Sequence, residues 1–252
     1  MSKNTAGSVQ FRQNGLAIIF VDLVASGPLL DAVERAVPRL SAADSTRIEA
    51  LTHDPAGCCR WRWARIATRI ILEREVGPAI RRRDFIIERT GRPVLGNGFP
   101  YFNVSHSGNA ALIAVSKNAP VGVDLEELRS LSLTGDRRER LIFAANGLTR
   151  GYLDPNSDRD VLRAWVQLEA AAKAMGTGIG KLLTEAGVVG RHENSGRMVP
   201  PPTLAVMELD VGSHHVAAVA TSAPMPMIQI DVFPHEAAAL DDFMTIAGAA
   251  QS

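Results

Sequence analysis

Between Tyr101 and Glu126 three short apolar stretches, Tyr101 to Val104, Ala110 to Ser116 and Val121 to Glu126, alternate with two turn-forming clusters, Ser107-Gly108-Asn109 and Asn118-Ala119-Pro120. Runs of this length bounded by Gly, Asn and Pro read as strands, so the stretch folds as a compact sheet. A sheet needs cover, and the flanking sequence supplies helices. Arg60 to Val76 has apolar residues at helical spacing with arginines on the remaining faces, and Gly77-Pro78 ends it. Arg159 to Met175, rich in Ala and Leu and stopped by Gly176, predicts another helix, and Arg137 to Ala145 a shorter one. Strand character also appears at Leu16 to Val24, Asp84 to Arg89, Thr203 to Leu209, His215 to Thr221 and Met227 to Phe233, with Asp210 to Ser213 as a hairpin turn. Gly147 to Ser157 and Gly187 to Pro202 read as loops. Strands, a long helix and strands again occur in each half, which predicts an α+β protein of two similar lobes, residues 1–117 and 118–252.

Composition narrows the partners. Lys plus Arg and Asp plus Glu both number 27, so the net charge is zero and the balance gives no electrostatic reason to expect nucleic acid or a membrane. A nucleic-acid reading would have to rest on Arg60, Arg62, Arg65, Arg69 and the Arg81-Arg82-Arg83 run, and no nucleic-acid motif accompanies them. The two cysteines, Cys58 and Cys59, are adjacent, where disulfide geometry is hard to satisfy, so a reducing, cytoplasmic setting is expected. The run Leu16 to Val24 is interrupted by Asp22, falls short of the roughly 20 apolar residues a membrane span needs, and has no basic segment before it. It reads as a first strand. A monomer is expected.

Asp124 and Glu126 lie two residues apart on a predicted strand, so both carboxylates leave the same face. Two hard oxygen ligands with room for waters and a phosphate suit Mg²⁺. The plain alternative is a solvated acidic edge, but the apolar Val121-Gly122-Val123 that precedes places the pair at the end of a core strand. On the long helix Glu169 and Lys173 are four apart, the order of an ordinary stabilising ion pair, with Trp165 one turn earlier and glycines 176 and 178 just beyond. A third carboxylate and a lysine beside the acidic pair would complete a metal and phosphate site. His106, between Ser105 and Ser107, can donate to a phosphate oxygen, and Ser105 can add a second bond. A Ser105 nucleophile with His106 as base is the competing chemistry, opposed by the opposite directions of adjacent strand residues and by the absence of a Gly-x-Ser-x-Gly elbow.

The set Gly91-Arg92-Pro93, Asn103-Val104-Ser105-His106-Ser107, Gly122-Val123-Asp124-Leu125-Glu126 and Trp165-x-x-x-Glu169-Ala170-x-x-Lys173-Ala174-x-Gly176-x-Gly178-Ile179 resembles the 4′-phosphopantetheinyl transferases of the surfactin-synthetase-activating type. Arg65-x-x-x-Arg69-x-x-Leu72 resembles the basic helix of that family's first lobe. The resemblance implies a pseudo-dimer of two α+β lobes with coenzyme A in the cleft between them. It also implies Asp124, Glu126 and Glu169 as Mg²⁺ ligands, Lys173 and His106 on the pyrophosphate, and Arg65, Arg92 and Ser105 on the nucleotide and its phosphates. The reaction implied is attack by a serine of an apo acyl or peptidyl carrier protein on the pantetheine phosphorus, with 3′,5′-ADP leaving and Glu169 or metal-held water taking the proton. Leu168 stands where the family usually has a lysine, and Arg92 replaces the lysine of Gly-Lys-Pro. A rival is a chain that binds coenzyme A or a carrier without transfer. Carrier docking is expected on the second lobe, with Arg137, Arg138 and Arg140, near Leu141 and Phe143, as candidates.

Overall fold

The computed structural model describes residues 15–51, 53–148, 151–185, 204–223, 225 and 228–245. β1 (Leu16–Asp22) opens the chain, followed by α1 (Leu23–Ala36), α2 (Ala42–Glu49) and the long α3 (Pro55–Val76). A two-residue hairpin, β2 (Ile86–Ile87) and β3 (Pro93–Val94), leads to β4 (Tyr101–Ser107) and β5 (Ala110–Ser116). The second half runs β6 (Val121–Glu127), α4 (Gly135–Ala145), α5 (Asp158–Met175), α6 (Ile179–Glu185), β7 (Ala205–Leu209), β8 (His215–Thr221), β9 (Ile230–Val232) and α7 (Ala237–Thr245). The architecture is α+β, as the sequence predicts.

Two sheets form, in the orders β4-β5-β1-β9 and β7-β8-β6, besides the short β2-β3 ladder. Within each, the first strand of that half pairs antiparallel with the last strand of a hairpin, Leu16 opposite Ser116 and Val121 opposite Thr221. The period of two along each strand sorts the apolar side chains into layers. On β1 and β5, Ile19, Val21, Ala111, Ile113 and Val115 pack against α1 and α3, whereas Ile18, Ala110, Leu112 and Ala114 meet Val121, Val123, Leu125, Ala217 and Val219 of the other sheet. The opposite face of β8, Val216, Ala218 and Ala220, rests on Leu162, Val166 and Ala170 of α5. The order is therefore helices, sheet, sheet, helices. All seven residues of β5 are buried because it lies under cover on both sides.

Several boundaries differ from the sequence reading. The strand expected to reach Val24 stops at Asp22, whose carboxylate accepts from the Val24 and Ala25 N–H groups and caps α1. α2 is held by a capping box between Ser41 and Asp44. The strand expected over 84–89 shrinks to two residues, and the predicted loop 187–202 lies outside the described residues. The expected cut at 117/118 does not follow the sheets either. β9 pairs parallel with β1, Ile18 opposite Ile230, and Phe233 and Phe243 pack into the core under α3, so residues 230–245 sit with the first half. Among the described residues no helix is long and apolar enough to cross a membrane.

At Gly122 α5 lies directly on β6. A Cβ there would stand 2.1 Å from the Ala170 carbonyl oxygen and 2.4 Å from the Ala174 nitrogen, both backbone atoms. Neither atom can turn aside as a side-chain tip would. Gly122→Ala is therefore expected to lower stability by about 1–3 kcal/mol, the usual range for overpacking, with a reduced urea midpoint as the measurement.

Candidate functional site

β4 and β6 belong to different sheets yet run together, joined through side chains. Asn103 Oδ1 accepts from the Val123 N–H at 2.9 Å. Ser105 Oγ donates to Asp124 Oδ1 at 2.7 Å. Ser107 Oγ donates to Glu126 Oε2 at 3.0 Å and accepts from the Glu127 N–H at 3.1 Å. Positions 103, 105 and 107 share one face of a strand, so a single period-two row of short polar side chains stitches the halves together and aims Asp124. Asn103 and Ser107 thus have positioning tasks that the motif reading left unassigned. Their alternation with Ser105 was the available signal.

Asp124 is the centre of this row. Lys173, on α5, places Nζ 2.7 Å from Asp124 Oδ1, 3.1 Å from the Val123 carbonyl and 3.6 Å from Glu169 Oε1. Gly122 lets α5 come close enough for the reach. The Asp124 carboxylate is almost fully buried, and its Oδ2 has no hydrogen-bond partner. Burial raises its pKa to about 6, outweighing the attraction of Lys173, and the charge of Glu169 adds to the rise. A divalent cation would relieve this strain. The unpartnered Oδ2 and the Glu169 carboxylate, on either side of Lys173, are hard oxygen donors of the kind Mg²⁺ prefers. Glu126 is engaged elsewhere, with Arg129 Nη1 2.7 Å from its Oε2 in addition to Ser107. Among the described residues no three His, Cys, Asp or Glu side chains stand as a cluster able to hold a metal.

His106 points the other way from Ser105 and stands in a cleft of about 190 Å³ between β4 and α3, shared with Trp61, Arg65, Thr68 and Pro93. No hydrogen bond links the Ser105 hydroxyl to His106, since Ser105 is spent on Asp124. The side chain is exposed to solvent at the mouth of this cleft. Crowding by the protein around it, then the charges of Lys173, Arg65 and Arg60, hold its pKa below the ordinary 6.5. The charge of Arg60 thus reaches His106, although Arg60 does not line the cleft; the sequence reading weighed it only as part of a possible nucleic-acid surface. Arg65 has its Nε 3.3 Å from Asp44 Oδ1 and its guanidinium over Trp61 at 4.9 Å and Phe85 at 5.1 Å. Arg69 is wholly buried on Asp44 and the Arg83 carbonyl, a structural role.

Arg92 stands apart from the cleft, bonding Glu88 and the carbonyl at the end of α5. Trp165 and Glu126 open on a second, largely apolar cavity of about 320 Å³ lined by Leu131, Leu133, Leu141, Val161 and Leu162. The arginines expected to dock a carrier are less free than their sequence implies. Arg138 binds the Leu131 and Leu133 carbonyls and Asp158, Arg140 pairs with Asp136, and Leu141 is core, which leaves Arg137 and Phe143 exposed.

No family model matches the chain. Two curated proteins do. The 4′-phosphopantetheinyl transferase HetI of Nostoc sp. is 34% identical over 143 residues, 55% of this chain and 60% of the relative. A candidate 4′-phosphopantetheinyl transferase of Synechocystis sp., slr0495, is 29% identical over 138 residues, 46% of this chain and 48% of the relative. Over about half its length the chain is similar to these two 4′-phosphopantetheinyl transferases. It spans less than two thirds of either relative's length.

Because the folded pKa of His106 lies below its unfolded value of 6.5, the unfolded chain binds that proton more readily, and the residue costs stability as pH falls through 6.5 towards the folded pKa. The ring is expected to titrate below 6.5 by NMR, and added inorganic pyrophosphate to move the midpoint upward by offsetting the three cations. A midpoint that ignores pyrophosphate would remove His106 from any phosphate site.

Proposed function

We propose that the protein transfers the 4′-phosphopantetheine moiety of coenzyme A to a serine hydroxyl of an apo acyl or peptidyl carrier protein, with Mg²⁺, releasing 3′,5′-ADP. The observation that carries this reading is the set of groups near the join, a buried Asp124 with an unspent oxygen and Lys173 shared with Glu169, together with a cleft that holds His106 and Arg65. The names of the two similar proteins support a transfer activity of this kind, and the charged groups near the join are suited to it.

Phosphoryl-type transfer asks a protein mainly to position the reactants and neutralise charge on the phosphoryl oxygens. Mg²⁺, held by Asp124 and Glu169, would supply Lewis-acid stabilisation of the pyrophosphate, and Glu126 could join them only by giving up Arg129 and Ser107. Lys173 holds the Asp124 carboxylate in place and presents its ammonium beside the same site. His106 and Arg65, facing one cleft, hold the nucleotide phosphates. Arg65 is stiffened for this by its two aromatic neighbours and Asp44. Glu169 takes the proton of the carrier serine as its oxygen bonds to the pantetheine phosphorus, and the phosphoanhydride oxygen leaves with 3′,5′-ADP. Ser105 stays outside the covalent chemistry, because its hydroxyl proton is committed to Asp124.

The test is incubation with coenzyme A, Mg²⁺ and a panel of apo carrier proteins, read by intact mass for addition of the phosphopantetheine arm. Asp124→Ala or Glu169→Ala is expected to lose several kcal/mol of transition-state stabilisation, about a thousandfold in rate, with the fold retained by circular dichroism. Near-wild-type turnover of either variant at saturating Mg²⁺ would sink the mechanism.

A further inference from the structure

Arg92 is held by contacts that do not face the cleft. The turn from Glu88 to Arg92 is closed by two backbone bonds, Glu88 N–H to the Arg92 carbonyl at 3.0 Å and Gly91 N–H to the Glu88 carbonyl at 2.9 Å. Gly91 takes φ +84° there, a conformation that L side chains rarely adopt. The turn sets Glu88 and Arg92 side by side, with Arg92 Nε 2.8 Å from Glu88 Oε2. From that anchored base the guanidinium crosses to the other half of the molecule. Nη1 reaches the Lys173 carbonyl at 3.3 Å, and a Cβ added to the left-handed Gly176 would touch the same guanidinium at 3.5 Å. A cation at the carbonyl end of a helix also meets the negative end of its dipole.

The residue whose carbonyl Arg92 holds is the one whose ammonium contacts Asp124 and Glu169. We propose that Arg92 is a positioning residue, not a phosphate ligand: it ties the 88–92 turn to the last turn of α5 and thereby fixes Lys173 and Glu169 over Asp124. A flat guanidinium suits the task because it bonds a carboxylate through one edge and a carbonyl through another, which a single ammonium does poorly. The inference rests on the transfer reading for its kinetic consequence, and on the geometry alone for the tie.

The experiment uses the full chain and three readouts on Arg92→Ala and Glu88→Ala. Displacement of a catalytic group by about 1 Å costs on the order of a hundredfold, so kcat for carrier modification should fall about 10- to 100-fold in Arg92→Ala. The affinity for 3′,5′-ADP, measured by calorimetry, should stay within about threefold, a loss confined to kcat rather than to binding. Amide exchange at Gly176 and Thr177, which bond back to Lys173 and Ala172, should quicken. Glu88→Ala separates the two roles by sign. A positioning Arg92, freed of its anchor, lowers kcat and leaves nucleotide affinity unchanged, whereas a phosphate-binding Arg92, freed of a competing carboxylate, binds 3′,5′-ADP more tightly. Unchanged exchange in Arg92→Ala, a nucleotide affinity that falls with kcat, or tighter nucleotide binding by Glu88→Ala overturns the proposal. If the wild-type chain modifies no carrier, the transfer reading fails while exchange and calorimetry still decide the tie.

Discussion

A carboxylate at 4% side-chain exposure would be ruinous without a counter-ion, and the pairing of Asp124 with Lys173 is what the join between the two halves is built around. Removing one member of such a buried pair usually costs about 3–5 kcal/mol, because the other charge is left stranded. Much of the nearby sequence follows from keeping the pair together. Gly122 admits the helix that carries Lys173, Ser105 meets the remaining demand of Oδ1, and Asn103 binds the backbone one residue earlier. Even so the carboxylate is under-satisfied, with one oxygen bare. Buried polar atoms without partners are uncommon, and they concentrate where a ligand completes the set.

The electrical character of the site is opposite to that of the chain as a whole. Equal numbers of acidic and basic residues give no net field, yet the charges that act on His106 are cationic, those of Lys173, Arg65 and Arg60. Field of this kind depends on placement, not on totals. Many other arginines are absorbed internally. Arg39 and Arg81 share Glu73, Arg69 lies on Asp44, and Arg74 lies against Phe243 and beside Glu75. That is why an arginine-rich first half presents no basic surface in proportion to its sequence.

The parts of the fold legible in advance were those fixed by local pattern. The three strands from Tyr101 to Glu126 and the Ala-rich α5 follow from period and punctuation, and the order of elements in each half follows from them. α1 escaped because Leu16 to Val24 is one apolar run, and only the capping geometry of Asp22 shows where strand becomes helix. Pro28 inside α1 argued against a helix as well. α2 was marked by Ser41 and Asp44, a capping signal weaker than the usual glutamate version. Within the site, spacing alone placed Asp124 on a strand face and Glu169 one turn from Lys173. Spacing cannot say that Arg129 claims Glu126 or that Arg92 crosses to α5, since both depend on where distant segments meet. Arg138 was misjudged for the same reason: its partners lie on a loop and on a second helix.

The return of β9 to lie beside β1 has a consequence for how the chain can be made. The two strands are separated by some two hundred residues of sequence, and the first sheet lacks its edge until the last strand exists. During synthesis the α1–α3 layer and the β1-β5 pair would emerge with one strand edge bare and the pocket for Phe233 and Phe243 unfilled. Such an edge is a template for pairing with another chain, and contacts this remote are slow to close. The first half is thus left waiting during synthesis for residues 230–245, and of the two halves it is the earlier-made one that is exposed longer to misassembly.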